Sequence, residues 1–218
     1  MTEKLEILVV EDQPHHLADV RAVIDSRRQY GIEADYVSTL DDAKRKLEEK
    51  RYDGILSDVF FPEREGEEES ASGLWIAEYG LENKVPFILV TSTYHHGRKT
   101  EEVNQQLRIK YKIGGLIDAE PEGCSPNTDL EVKKKNWKGG LLALAYFIED
   151  SRERGWEDKW MFGAIQELIL KINGEFAGRF QNYRDDKAPA VFTPKGSYGG
   201  VYEKFDRVLN TYCKDLFS

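Results

Sequence analysis

Residues 55–58 read Ile-Leu-Ser-Asp, and residues 7–12 read Ile-Leu-Val-Val-Glu-Asp. Both are short apolar runs that end in carboxylates. Runs without polar alternation are expected of strands buried on both faces, as in a parallel sheet. Parallel strands put their C-terminal ends on one edge, and open α/β sheets bind ligands in the crevice outside that edge. The pattern therefore predicts that Glu11, Asp12 and Asp58 meet there. Three carboxylates brought together repel one another unless a cation sits between them. Hard oxygen ligands of this kind suit Mg2+, which keeps several waters and shares its shell with phosphate oxygens. A Mg2+ and phosphate site is the first expectation, with Glu11, Asp12 and Asp58 as metal ligands.

Outward from these runs, strands and helices alternate. Pro14 fits the first turn of a helix, and Leu17, Val20, Val23 and Ile24 follow at helical spacing. Residues 32–37 read as a second strand, 40–50 as a charged surface helix and 52–57 as the third strand. Residues 60–72 form a long loop holding Pro62, Gly66 and the acidic cluster Glu65–Glu69. A helix is expected from Gly73 to about Leu81, a fourth strand over 85–91, a polar helix over 100–110 and a short fifth strand over 113–117. After an irregular stretch, residues 136–150 form a helix with a wide apolar face, and its run Leu141–Ile148 after Gly139-Gly140 reads as buried. Five alternations define a doubly wound α/β domain with a five-stranded parallel sheet over residues 1–152. Residues 153–218 read as a helical C-terminal extension, with helices over 156–180 and 201–216 and a loop over 181–200.

Composition narrows the function classes. The 218 residues carry a formal net charge of −9, and 33% are charged. Residues 1–123 hold 26 acidic against 16 basic side chains, whereas residues 124–218 are near neutral. An acidic N-terminal part suits cations, and no basic stripe marks a nucleic-acid interface. Cys124 and Cys213 make neither a disulfide framework nor a CxxC motif, and read as free thiols in a reducing cytoplasm. No apolar stretch approaches the ~20 residues needed to span a bilayer, and the charged start of the chain is unlike a signal peptide.

The motifs resemble the receiver domain of two-component response regulators. Glu11-Asp12 closes the first strand like the family's metal-binding acidic pair, and Asp58 closes the third like its phospho-accepting aspartate. Pro62 stands four positions after Asp58, and Thr91 ends Phe-Ile-Leu-Val-Thr like the family's fourth-strand hydroxyl residue. The resemblance spans roughly the first 120 to 150 residues. It implies a flavodoxin-like fold and a phosphoryl group accepted on Asp58. It also implies Mg2+ held by Asp12, Asp58 and, through water, Glu11, with Thr91 bonding a phosphoryl oxygen. A histidine kinase or phosphotransfer protein would be the donor. Output would run to a downstream protein through the fourth and fifth helices and the tail, with a homodimer compatible and neither nucleic acid nor membrane involved. Beyond accepting its own phosphoryl group the chain is not expected to be an enzyme, and its place is cytoplasmic.

Three departures stand out. The acidic loop after Asp58 is long, and the segment from Asp118 to Lys135 is longer than the usual short turn. The family's Lys-Pro after the fifth strand is replaced by Glu120-Pro121. Lys133, Lys134, Lys135 or Arg98 are the candidates to supply the missing cation, and spacing does not choose among them. The stretches Ser57-Asp-Val-Phe-Phe-Pro, Thr91-Ser-Thr-Tyr-His-His-Gly and Lys135-Asn-Trp resemble an atypical receiver subgroup of bacterial sequences. Without a substitute cation, a phosphorylation-independent interaction module is the alternative. A Mg2+-dependent phosphohydrolase of the haloacid-dehalogenase type needs a second aspartate two positions after the nucleophile, where Phe60 stands. Any single carboxylate at a strand end is an ordinary polar cap, and it is the set of three with Thr91 that favours function. The pairs His15-His16 and His95-His96 fall after the first and fourth strands. Adjacent residues rarely aim at one ion, so an ordinary or phosphate-orienting role is favoured over a second metal site, with a charge change near pH 6.5 the lesser expectation.

Overall fold

The computed structural model of the chain describes residues 4–93, 98–110, 116–119, 134–156, 161–175 and 199–214. His95-His96, Glu120-Pro121, Cys124, Lys133 and Trp160 lie outside these residues. So do positions 113–115 of the expected fifth strand and 181–198 of the expected loop. Among the described residues no helix is long and apolar enough to cross a membrane.

The apolar runs form strands where the sequence places them. β1 (Leu5–Val10) pairs in parallel with β2 (Ile32–Val37) and with β3 (Gly54–Asp58), and β3 pairs in parallel with the strand Phe87–Val90. Between them come α1 (Pro14–Asp25), a 3-10 turn (Arg28–Tyr30) ended by Gly31 at φ 86°, and α2 (Leu40–Glu49). Thr39 caps α2 by accepting from the Asp42 N–H, and Asp41 and Asp42 add negative charge to its first turn, where the helix dipole favours it. The loop after β3 keeps its acidic tip exposed over residues 63–70. It folds back as a two-stranded antiparallel ribbon of β4 (Phe61–Pro62) and β5 (Glu69–Ser70), turning at Gly66 with φ 83°. Next come α3 (Gly73–Asn83), β6 (Phe87–Val90) and α4 (Arg98–Lys110).

The sheet order is β2-β1-β3-β6. Ile117 continues it, making a parallel bridge to Val90. This is the flavodoxin-like order, in which the first and third strands flank the point where the winding reverses. Within the described residues the fifth strand is reduced to that bridge. Helices cover both faces because alternate strand residues point opposite ways. Leu5, Ile7, Val9, Leu56 and Ile88 join the core of α1 and of α5 (Trp137–Arg154). Leu8, Val10, Ile55, Phe87 and Leu89 join that of α2, α3 and α4.

The extension completes a third layer. α6 (Met161–Glu175) and α7 (Gly199–Tyr212) both lie against α5. Ile165, Ile169 and Ile172 of α6, and Phe205 and Val208 of α7, are buried in the same core as the strands. Burying one such isoleucine contributes about 2 kcal/mol. α5 is therefore buried nearly all round, from Gly139 through Ile148, instead of on one face. The expectation that this helix offers a partner surface is corrected: α6 and α7 cover it. Lys204 of α7, almost fully buried, pairs with the fully buried Asp150 of α5 and lies 2.9 Å from Glu153. Cys213 is buried too, and burial pushes its thiol up to about 12.

Candidate functional site

Register brings the expected residues to one edge. Val10 lies opposite Ser57 and Asp58 opposite Val90, so β1, β3 and β6 end together. Glu11 extends the ladder by one bond, its N–H donating to the Val37 carbonyl at 3.0 Å. Carboxylate oxygens of Glu11, Asp12 and Asp58 then lie within 4.8 Å of one another. Glu11 is fully buried, Asp58 is 6% exposed, and Asp12 is half-buried.

A buried lysine completes the cluster. The Lys135 ammonium lies 2.5 Å from Glu11 Oε2 and 2.7 Å from Asp58 Oδ2, with the side chain 2% exposed. Its seat is local. Lys135 bridges to Ala119, and the next residue, Asn136, caps α5 by accepting from the Gly139 N–H at 2.8 Å. The ring of Trp137 stands 5.5 Å from the ammonium. Of the cations left open by the sequence, Lys135 is the one joined to Asp58 among the described residues. Lys134 is exposed, Lys133 lies outside the described residues, and Arg98 is the first residue of α4.

The second Asp58 oxygen, Oδ1, accepts from the Val59 N–H at 2.7 Å. The turn that carries this N–H is pinned by Gly73. Its N–H donates to the Val59 carbonyl at 3.0 Å, and a Cβ there would stand 2.9 Å from the Asp58 carbonyl oxygen. Only glycine lets α3 start so close to the turn. Thr91 follows the residue paired with Asp58. Its N–H donates to Ile117, and its hydroxyl pairs with that of Thr93 at 3.0 Å.

Electrostatics mark the cluster as short of positive charge. Burial first, and then repulsion from Asp58, push Glu11 up to about 7. Burial, Asp58 and Glu69 push Asp12 up to about 6. Asp58 is also raised by burial, against the opposing pull of Lys135 and of the Val59 and Phe60 N–H groups. Burial alone would lower Lys135, but Asp58 and Glu11 hold it above its ordinary value. One ammonium, paired with Glu11 and Asp58 beside a third carboxylate, leaves a deficit that a divalent cation would fill, and Asp12 Oδ1 is a buried oxygen without a hydrogen-bond partner. The donor set, all carboxylate oxygen with room for water on the half-buried Asp12 side, fits Mg2+.

One neighbour, Gln13, escaped the sequence reading, and a second, His16, differs from its lesser expectation. Gln13 donates from Nε2 both to Asp12 Oδ2 at 3.0 Å and to Glu69 Oε1 at 2.7 Å, tying the β4–β5 ribbon to the cluster. Gln13 sits directly after the acidic pair, but its tie needs the ribbon, which an acidic run conceals. His16 is buried in α1, and burial, Lys135 and His15 push it down to about 4. It is neutral at neutral pH, so the charge change near pH 6.5 does not apply to it.

No family model matches the chain, and no curated protein matches it. Solved structures do. The receiver domain of a signal-transduction histidine kinase from Syntrophus aciditrophicus is 25% identical over 58% of this chain and 82% of its own, with TM-score 0.38. The receiver domain of a sensor histidine kinase from Pseudomonas aeruginosa, with magnesium coordinated in its active-site cleft, is 23% identical over 53% and 83%, with TM-score 0.36. The RcsB response regulator of Salmonella typhimurium is 9% identical over 98% and 93%, with TM-score 0.45.

Proposed function

We propose that the chain is a receiver-like signalling protein that accepts a phosphoryl group on Asp58, with Mg2+ held by Asp12 and Asp58 and, through water, by Glu11. The observation that carries this reading is the Lys135 ammonium, which joins Asp58 to Glu11 at the strand ends. It offers the cation that the receiver pattern carries after the fifth strand, where this chain has Glu120-Pro121 instead.

In the transfer, an Asp58 oxygen forms a bond to phosphorus as the bond from phosphorus to the donor breaks. The donor, a phosphohistidine imidazole or the carboxylate of an acyl phosphate, departs with that electron pair. Such transfers need positioning and charge stabilisation more than covalent help. Val59 N–H and Lys135 orient the carboxylate, and Lys135 is placed to follow the charge onto the phosphoryl oxygens. When bound, Mg2+ would neutralise charge on those same oxygens. The Thr91 hydroxyl would exchange Thr93 for a phosphoryl oxygen. A histidine kinase or phosphotransfer protein is the proposed donor, and a downstream protein the proposed receiver of the signal. With α5 covered, that protein would meet α4 or the outer faces of α6 and α7.

Incubating the full chain with Mg2+ and acetyl phosphate and recording intact mass tests this. One phosphoryl adduct is expected, absent without Mg2+ and absent from Asp58→Asn. No adduct, under conditions that label a working receiver, would instead favour a phosphorylation-independent interaction module. Continuous phosphate release would favour a phosphohydrolase.

A further inference from the structure

The outer side of the fifth-strand segment is satisfied by a side chain. The Leu116 carbonyl accepts from Asn173 Nδ2 at 2.6 Å, and the Asp118 N–H donates to Asn173 Oδ1 at 2.9 Å. One carboxamide thus fills a donor and an acceptor position that a further strand would fill in a ladder. Asn173 belongs to α6, in the extension beyond the α/β alternation.

The inner side of the same segment faces the site. The Ile117 carbonyl accepts from the Thr91 N–H at 2.9 Å, and the Ile117 N–H donates to Leu89 at 3.0 Å. The Ala119 N–H donates to the Thr93 carbonyl at 3.1 Å, and Ala119 also bridges to Lys135. Residues 116–119 therefore seat both the Thr91–Thr93 turn and the lysine that holds Asp58. Asn173 grips this segment from behind.

We propose that Asn173 is a positioning residue for the acid site, coupling the loading of that site to the seating of α6. The inference rests on the reading of Glu11, Asp12 and Asp58 as a Mg2+ and phosphoryl site. A shift of Thr91 or Lys135 on loading moves the backbone that they share. The two amide bonds to Leu116 and Asp118 register that movement together, since a slip of the segment strains both. Coupling of this kind is reciprocal: loading tightens α6, and a seated α6 favours loading.

The test uses the full-length protein with Mg2+ alone, and then with Mg2+ and acetyl phosphate. Amide hydrogen exchange over residues 161–175 is read beside Mg2+ affinity. In the wild type, loading is expected to slow exchange in that helix. Asn173→Asp keeps the shape but sets a carboxylate oxygen against the Leu116 carbonyl. It is expected to weaken Mg2+ by about fivefold or more and to abolish the exchange response, although its added negative charge alone would favour Mg2+. Ile169→Val, which trims a buried contact of the same helix away from the amide, is expected to keep both. The wild-type response is decisive even if Asn173→Asp folds poorly. Mg2+ binding without any change in α6, or equal weakening by the two variants, overturns the coupling while the site reading stands. A wild type that neither binds Mg2+ nor takes a phosphoryl group overturns both.

Discussion

At the scale of single residues, the balance of charge around Asp58 governs behaviour. Lys135 opposes Mg2+ electrostatically yet assists the phosphoryl group, so Lys135→Met should tighten Mg2+ binding while slowing phosphorylation. Isothermal titration beside a labelling time course would register the opposite signs. The raised carboxyls make a second prediction. Glu11 is pushed up to about 7 and Asp12 up to about 6, both above their values in an unfolded chain. The folded, metal-free protein therefore binds more protons across that window and loses stability as pH rises through it. Mg2+ replaces those protons, so the gain in melting temperature on adding Mg2+ should be small near pH 5 and large near pH 8. A gain that ignores pH would contradict these assignments. The three acidic residues were legible in the sequence because each ends an apolar run. Lys135 was legible only as one of several cations, since spacing alone does not choose among three lysines in a row. Asn136 is the discriminating signal: a helix cap there sets Lys135 at the entry to α5.

Among the elements, short connections hold the site. Asn136→Ala removes the α5 cap and should cost about 1 kcal/mol, read as a lower denaturation midpoint, with slower phosphorylation because Lys135 loses its anchor. Gln13→Ala cuts the link that runs from Asp12 through the Gln13 amide to Glu69 of the ribbon. Faster amide exchange over residues 61–70 is expected, with global stability changed by no more than about 0.5 kcal/mol. The ribbon was hidden in the sequence by its acidic tip, which has the composition of a plain loop, while its pairing depends on Phe61 and Ser70 meeting at a distance. The strands were legible because a continuous apolar run has few other homes in a doubly wound fold.

For the whole molecule, the extension is part of the core. A helix apolar on every side is buried on every side, and the run from Leu141 to Ile148 has that character. That run reads as a buried helix in the sequence, and it is one; what the α6 and α7 patterns do not name is that they are the partners covering it. We propose that the boundary near residue 152 divides sequence patterns more than stability: the full chain should melt in one calorimetric transition. A chain ending at Arg154, stripped of Ile165, Ile169 and Phe205, should bind hydrophobic dyes and aggregate. Two separate transitions would contradict that view. The central claim is that a lysine from the entry to α5 equips Asp58 to take a phosphoryl group. Its most direct test is the rate at which acetyl phosphate and Mg2+ label the full chain, compared across wild type, Lys135→Met and Lys134→Met. The account predicts wild-type labelling for Lys134→Met and a loss of about a hundredfold for Lys135→Met. Undiminished labelling of Lys135→Met at Asp58 would contradict it.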